Sequence, residues 1–254
     1  KECVRYNKSD FVKFCLKFLG NYENIEINIA EQMIINGDIN ILNNLKNKNY
    51  DFSKVNNDIL YKICFSPKIE LLRWILNLNL NFDEVKNKTF NLLVLNEYYD
   101  EAIFLYNNLK NIDLKYNEYS SLKNICYNGN SNILHWYLSK INEINFVKNT
   151  YLFKKLIDGD NYVLLKNYIN ENTNIEKYYI DYYFNYCLNK KYYQICNYLL
   201  KLYKKFDLTS DIELYFDEAC INSDYVMLDL LMNINKNKNW GLYCIMNDYS
   251  EEVK

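Results

Sequence analysis

A weak repeat of about 31 residues, seven full copies long, constrains this chain more than any other feature. One position per copy marks it: Gly37, Pro67, Tyr98, Gly129, Gly159, Lys190 and Ser223, at intervals of 30, 31, 31, 30, 31 and 33 residues. A repeat of this length means stacked units, each burying its apolar face only against its neighbours. The expected organisation is a single solenoid over 1–254. It comprises a partial repeat at 1–25, seven repeats over about 26–239, and a partial repeat or cap at 240–254.

Breakers are scarce. One Pro and five Gly in 254 residues favour helices over a many-turned β fold, and 50% hydrophobic residues suffice for a core. The fold class read from the chain is all-α, an α-solenoid of stacked helical hairpins. Nine residues before each mark stand Asn28, Asp58, Thr89, Ser120, Thr150, Asp181 and Leu214. Six of these seven are residue types that cap a helix N-terminus, and Ser210 or Asp211 replaces Leu214 in the longest copy.

The first helix, A, has its apolar positions 7, 4 and 3 residues before the mark. Ala30/Met33/Ile34, Leu60/Ile63/Cys64 and Leu122/Ile125/Cys126 set the pattern, which Asn91 and Lys155 break. Asp38, Asn130, Asp160 and Asp224 follow the mark directly and can cap a second helix, B. Leu42, Leu72, Ile103, Leu134, Leu164, Ile195 and Leu228, five residues after the mark, hold helix B in place. Leu45, Ile75, Tyr106, Tyr137, Tyr198 and Leu231 follow three residues later, with Asn167 the exception. Asn49, Asn79 and Asn235 suit the left-handed turn that ends helix B, and Phe52 and Phe82 come next.

This skeleton resembles the ankyrin-repeat family. Thr89, Ser120 and Thr150 match its opening Thr. Leu60, Leu122 and Leu152 match its Leu. Cys64, Cys126, Cys187, Ala219 and Cys220 match its small pair, and Gly37, Gly129 and Gly159 match its Gly. The copies depart from the family in having no Pro after the cap, no His at the family's position, no Gly ending helix B and a slightly shorter period. Another helical-hairpin solenoid is the alternative. In composition the array is similar to degenerate ankyrin arrays of AT-rich giant DNA viruses. Such a resemblance implies a protein-binding scaffold that uses the concave surface lined by the A helices.

Residues able to do chemistry read as packing. Cys64, Cys126, Cys187 and Cys220 share one repeat position on the buried face, where cysteine acts as a small apolar residue. They point to a reduced, intracellular chain, cytoplasmic or, if viral, in host cytoplasm or virion. His135 is the only histidine, so neither a metal site nor a Cys–His dyad is expected. Asp158-Gly159-Asp160-Asn161 lacks the later Glu of a calcium loop, since residue 169 is Ile. The sequons at 7–9 and 87–89 are what an Asn-rich chain produces by chance. No phosphate loop or dinucleotide fingerprint occurs, so no cofactor is expected. The basic-aromatic stretch 201–206 reads as the solvated end of a helix B.

The expected function is non-enzymatic, namely protein–protein interaction through the concave face. A net charge of −2 argues against a nucleic-acid partner, and no apolar run is long enough for a membrane span. Tyrosines crowd the sixth copy, and Tyr178, Tyr179 and Tyr182 are its candidate partner-binding residues, on the exposed side of helix A. Tyr192 and Tyr193 share the cluster. Asn7 fits as a further mark and Asn239 as the cap of a last short helix. The pattern is therefore expected to run past both ends, in a longer chain or with another subunit covering an end. The alternative function is a structural subunit of a larger assembly, packing through its solenoid ends.

Overall fold

A computed structural model describes residues 25–78, 80–141, 150–168, 177–202, 212–234 and 239–246. The described residues contain fifteen α-helices and no strand. Consecutive helices alternate between the A and B roles. Helices α1 (Ile27–Asn36), α3 (Ile59–Ile63), α5 (Lys86–Leu95), α7 (Tyr116–Asn128), α9 (Thr150–Asp158), α11 (Lys177–Asn189) and α13 (Ile212–Ile221) take the A role. Helices α2 (Ile39–Asn47), α4 (Ile69–Leu76), α6 (Tyr99–Asn108), α8 (Ser131–Lys140), α10 (Tyr162–Tyr168), α12 (Tyr193–Leu202) and α14 (Tyr225–Ile234) take the B role, and α15 (Trp240–Met246) follows.

The chain divides into two compact units, Lys1–Asn124 and Ile125–Lys254, with the boundary inside α7. In the first unit α1/α2, α3/α4 and α5/α6 pack as hairpins. Successive A helices touch (α1 with α3, α3 with α5), as do successive B helices (α2 with α4, α4 with α6). In the second, α9/α10, α11/α12 and α13/α14 form hairpins, α9 meets α11, and α10, α12 and α14 meet in turn. The architecture is thus all-helical and repeat-like.

The A–B turn fixes the register of each hairpin. In six of the seven hairpins its key residue lies in the left-handed region: Gly37 (φ 71°), Glu97 (63°), Gly129 (76°), Asp160 (51°), Lys191 (61°) and Ser223 (52°); the α3/α4 turn, through Pro67, has no such residue. The residue that follows precedes helix B by one. Asp38 accepts from the amides of Asn40 and Ile41, Asn130 from that of Ile133, and Asp224 from that of Met227.

In three copies this differs from the marks read in the sequence. Glu97 takes the place of Tyr98, Asp160 that of Gly159, and Lys191 that of Lys190. The apolar exceptions then disappear. Phe90, Leu93 and Val94 are the buried residues of α5, and Leu152, Phe153, Leu156 and Ile157 those of α9. Asn91 and Lys155 never faced the core. Ala102, Leu165 and Cys196 replace Ile103, Leu164 and Ile195 at the invariant helix-B position, and Leu105 and Leu199 replace Tyr106 and Tyr198. Leu164 and Ile195 are buried as well, one residue earlier on the same face.

The helix-A caps also move. Asp58 does precede α3, though its side chain makes no capping bond. Ser120 follows three residues of positive φ, Asn117 to Tyr119, so the right-handed part of α7 begins near it. Asn28, Thr89, Asp181 and Leu214 lie inside α1, α5, α11 and α13, and Thr150 is the first residue of α9. In the observed register Thr89 faces inward, where it is fully buried, so it packs instead of capping. Asp160 cannot cap α10 because it is itself the left-handed residue. At the end of helix B, Asn49 has φ 60°, as the sequence suggests, and Phe52 and Phe82 are buried. Asn79, Asn235, Ser210, Asp211 and the stretch from 203 to 206 lie outside the described residues.

Polar bonds tie several of the hairpins to the next. In the first unit Trp74 Nε1 donates to Asn43 Oδ1 (3.0 Å), Ser121 Oγ to Asn91 Oδ1 (2.8 Å) and Asn124 Nδ2 to the Val94 carbonyl (3.3 Å). In the second, Asn161 Nδ2 donates to the carbonyls of Cys126 (2.6 Å) and Tyr127 (2.7 Å). These carbonyls belong to the last turn of α7, where no helical amide is left to bind them. A Cβ at Gly159 would collide with the Tyr127 carbonyl, so this glycine serves close approach and the left-handed angle passes to Asp160. Asn161→Ala is expected to cost about 1–3 kcal/mol by leaving these acceptors unpaired. Urea denaturation followed by circular dichroism measures it, and an unchanged midpoint would show that water replaces the amide without loss.

Candidate interaction surface

Tyr178, Tyr179 and Tyr182 all lie on α11. The side chains of Tyr178 and Tyr179 are outside the described residues. Tyr182 is 49% exposed. It stands nine residues before the left-handed Lys191. At the same distance from Asp160 and Ser223 stand Tyr151 on α9 and Leu214 on α13, 52% and 68% exposed. Three successive A helices therefore present one large apolar side chain each, at one register position. In the first unit the same position holds the exposed polar residues Asn28, Asp58 and Lys88.

The row is backed by aromatic packing. The Tyr182 ring meets the buried Tyr183 ring edge-on, with centroids 5.3 Å apart, and Tyr183 meets the buried Phe153 of α9 at 4.6 Å. Edge-to-face pairs of this kind restrain a ring beyond the area they bury. Tyr182 is thereby restrained on the exposed side of α11.

The other tyrosines of the cluster have structural work. Tyr186 donates to Asp158 Oδ1 (2.8 Å) while Lys155 Nζ reaches Asp158 Oδ2 (3.1 Å). The bond to Asp158 and burial push the Tyr186 hydroxyl up to about 12, so it remains a neutral donor. Tyr192 and Tyr193, which share the cluster in the sequence, are half-buried on the B side. Tyr192 donates to the Asp158 carbonyl (3.4 Å), and Tyr193 bonds Asp224, the cap of α14. Asn189 Nδ2 reaches the Tyr215 hydroxyl (3.4 Å), joining α11 to α13.

The same face changes charge from helix to helix. Six and five residues before the turn residue stand Lys154 and Lys155 on α9, Asn185 and Tyr186 on α11, and Asp217 and Glu218 on α13. Lys154 Nζ leans over the Tyr186 ring, 5.8 Å from its centroid. Asp217 accepts the Tyr243 hydroxyl (2.7 Å).

Elsewhere the described cysteines are enclosed, whereas His135 is exposed. Cys64, Cys126, Cys187, Cys196 and Cys220 are buried free thiols. Burial pushes Cys64 and Cys126 up to about 12, so neither forms the reactive thiolate near neutral pH. A bond with the Cys196 thiol, together with burial, raises Cys187 as well. His135 Nδ1 lies 2.9 Å from the Tyr168 hydroxyl. Among the described residues no three His, Cys, Asp or Glu side chains are grouped to hold a metal ion, and no helix is long and apolar enough to cross a membrane.

Position decided which surface residues could be read from the sequence. Tyr182 was legible from its crowded neighbourhood. Tyr151 and Leu214 were not, because marks at Gly159 and Lys190 put Thr150 and Asp181, one residue away, in line with Leu214. The turn residue Asp160 would have been the signal, since Asp tolerates the left-handed region better than most side chains. Comparison with protein-family models, curated proteins and solved structures finds no match to this chain.

Proposed function

We propose that this chain is a non-enzymatic solenoid of stacked helical hairpins, similar to ankyrin arrays, that binds a protein partner through the face presented by its A helices. The observation that supports this reading is the row Tyr151, Tyr182 and Leu214, one exposed apolar side chain per helix at a single register position. A repeat element spends its apolar residues on its neighbours, and three in line toward solvent serve something outside the stack. Nucleic acid and membrane are disfavoured as partners by the acidic balance and by the mixed charge of this face.

Affinity capture on the protein from its native source, followed by mass spectrometry, tests the proposal. The wild-type chain is expected to retain a partner that Tyr182→Ser/Leu214→Ser loses by tenfold or more, with the helical circular dichroism unchanged. Equal retention by both would place binding elsewhere. Stable self-association in light scattering, abolished by neither substitution, would favour a structural subunit of a larger assembly.

A further inference from the structure

Two adjoining A helices of the second unit set lysines among exposed tyrosines. On α9, Tyr151, Lys154, Lys155 and Asp158 follow at the spacing that keeps side chains on one face of a helix. On α11, Tyr182 and Tyr186 do the same, and the two helices are in contact. Lys154 Nζ lies 5.8 Å from the centre of the Tyr186 ring. Lys155 Nζ lies 5.8 Å from that of Tyr127, at the end of α7 within the same unit, and 5.9 Å from that of Tyr151. Tyr127 and Tyr151 are exposed, so the rings beside Lys155 still face solvent, as does Tyr182 one turn before Tyr186.

The two cations are not equivalent. Lys155 Nζ is 3.1 Å from Asp158 Oδ2, and the other oxygen of that carboxylate accepts the Tyr186 hydroxyl, so the Lys155 charge is met on its own helix. Among the described residues no carboxylate is paired with Lys154, whose ammonium lies over the Tyr186 ring. A ring face attracts a cation without neutralising it. One uncompensated positive charge thus remains, bordered by aromatic surface. A nucleic-acid backbone needs a run of cations, one for each phosphate neutralised, and a single one does not serve it. A single carboxylate flanked by apolar side chains meets both the charge and the rings.

Building on the partner-binding reading above, we propose that this patch holds a segment of a partner protein in which one Asp or Glu stands among apolar or aromatic residues. Its carboxylate pairs with Lys154, and its apolar neighbours lie on Tyr151 and Tyr182. Apolar contact around the ion pair excludes water, which strengthens the pair relative to one on an open surface.

Selection from a random phage-displayed peptide library on the full chain tests the proposal. The expected result is enrichment of sequences with an acidic residue beside apolar or aromatic ones, lost on Tyr151→Ser/Tyr182→Ser with the helical circular dichroism unchanged. Synthetic copies of the enriched peptides should bind Lys154→Gln about three- to fivefold more weakly. Selection on Lys154→Glu should replace the acidic residue by Lys or Arg. Should the double tyrosine variant lose helicity, the two Lys154 substitutions decide alone. Enriched peptides that need both tyrosines but carry no acidic residue, or that bind Lys154→Gln as well as wild type, would overturn the carboxylate and leave an apolar binding surface. No enrichment that depends on the tyrosines would overturn the patch itself. A native partner that is still lost on Tyr182→Ser/Leu214→Ser would then leave the partner-binding reading standing without it.

Discussion

Phe153→Ala is expected to destabilise the unit Ile125–Lys254 by about 3–5 kcal/mol. The Phe153 side chain is buried between α9 and its neighbour, and removal leaves a cavity in a core that collapses only partly around it. The edge contact with Tyr183 is lost too, worth about 0.5–1.5 kcal/mol beyond the area. Its effect reaches the surface. Tyr183 loses the ring that positions it and Tyr182 loses its backing, so a partner held by Tyr182 should be released faster even where the variant remains folded. Phe153→Leu keeps most of the volume and is expected to cost only about 1.5 kcal/mol. Urea denaturation followed by tryptophan fluorescence and circular dichroism measures both. A loss below about 1 kcal/mol for Phe153→Ala would mean that the neighbouring helix closes the gap and that the α9–α11 contact is softer than its geometry implies.

Asp224 carries the second large effect. Its carboxylate caps α14 through the Met227 amide (3.2 Å), takes Lys191 Nζ (3.1 Å) and accepts the Tyr193 hydroxyl, joining hairpin α11/α12 to hairpin α13/α14. Asp224→Ala is expected to cost about 2–4 kcal/mol, the sum of a lost cap and a half-buried tyrosine hydroxyl left without its acceptor. Burial alone would raise this carboxyl. The hydroxyl, the ammonium and the amide outweigh it and hold Asp224 below the ordinary carboxylate range. A carboxyl bound more tightly when charged adds stability that is fully present above its unfolded value of about 3.9 and is lost as pH falls through the lower folded value. Wild-type protein should therefore lose stability on acidification below about pH 4 more steeply than Asp224→Asn, which keeps a capping oxygen but cannot titrate. Parallel thermal melts across that range decide it. Identical acid profiles would assign the acid sensitivity to other carboxylates.

The arrangement of helices was legible in the sequence because it rests on burial, and burial writes a periodic pattern. Leu42, Leu72, Leu134 and Leu228 stand at one offset, and each is buried where that offset requires. The register failed where it was read from a residue type instead. Gly159 looked like the turn glycine, yet its lack of a side chain serves the passage of the Tyr127 carbonyl, and the left-handed angle falls on Asp160. Nothing in the letters separates those two reasons for a glycine. Tyr98 and Lys190 fit the interval as well as Glu97 and Lys191 do, and their side chains carry no mark of which takes the left-handed angle. Because side chains on a helix rotate by about 100° per residue, a slip of one moved Tyr106 and Tyr198 into the core on paper and hid Tyr151 behind Thr150. The inter-hairpin bonds of Asn161, Tyr186 and Asp224 were beyond reach for another reason. Each depends on the distance between two separately placed helices, which no local pattern encodes.

The left-handed turn residues have a consequence for how such a chain can vary. Gly, Glu, Asp, Lys and Ser all occupy the position between helix A and helix B with φ between 51° and 76°. In these six copies the backbone angle is shared, the α3/α4 turn through Pro67 being the exception, and the identity of the side chain is open to both signs of charge. These turns are where the chain can retune its electrostatic character, one hairpin at a time, without disturbing the packing beneath.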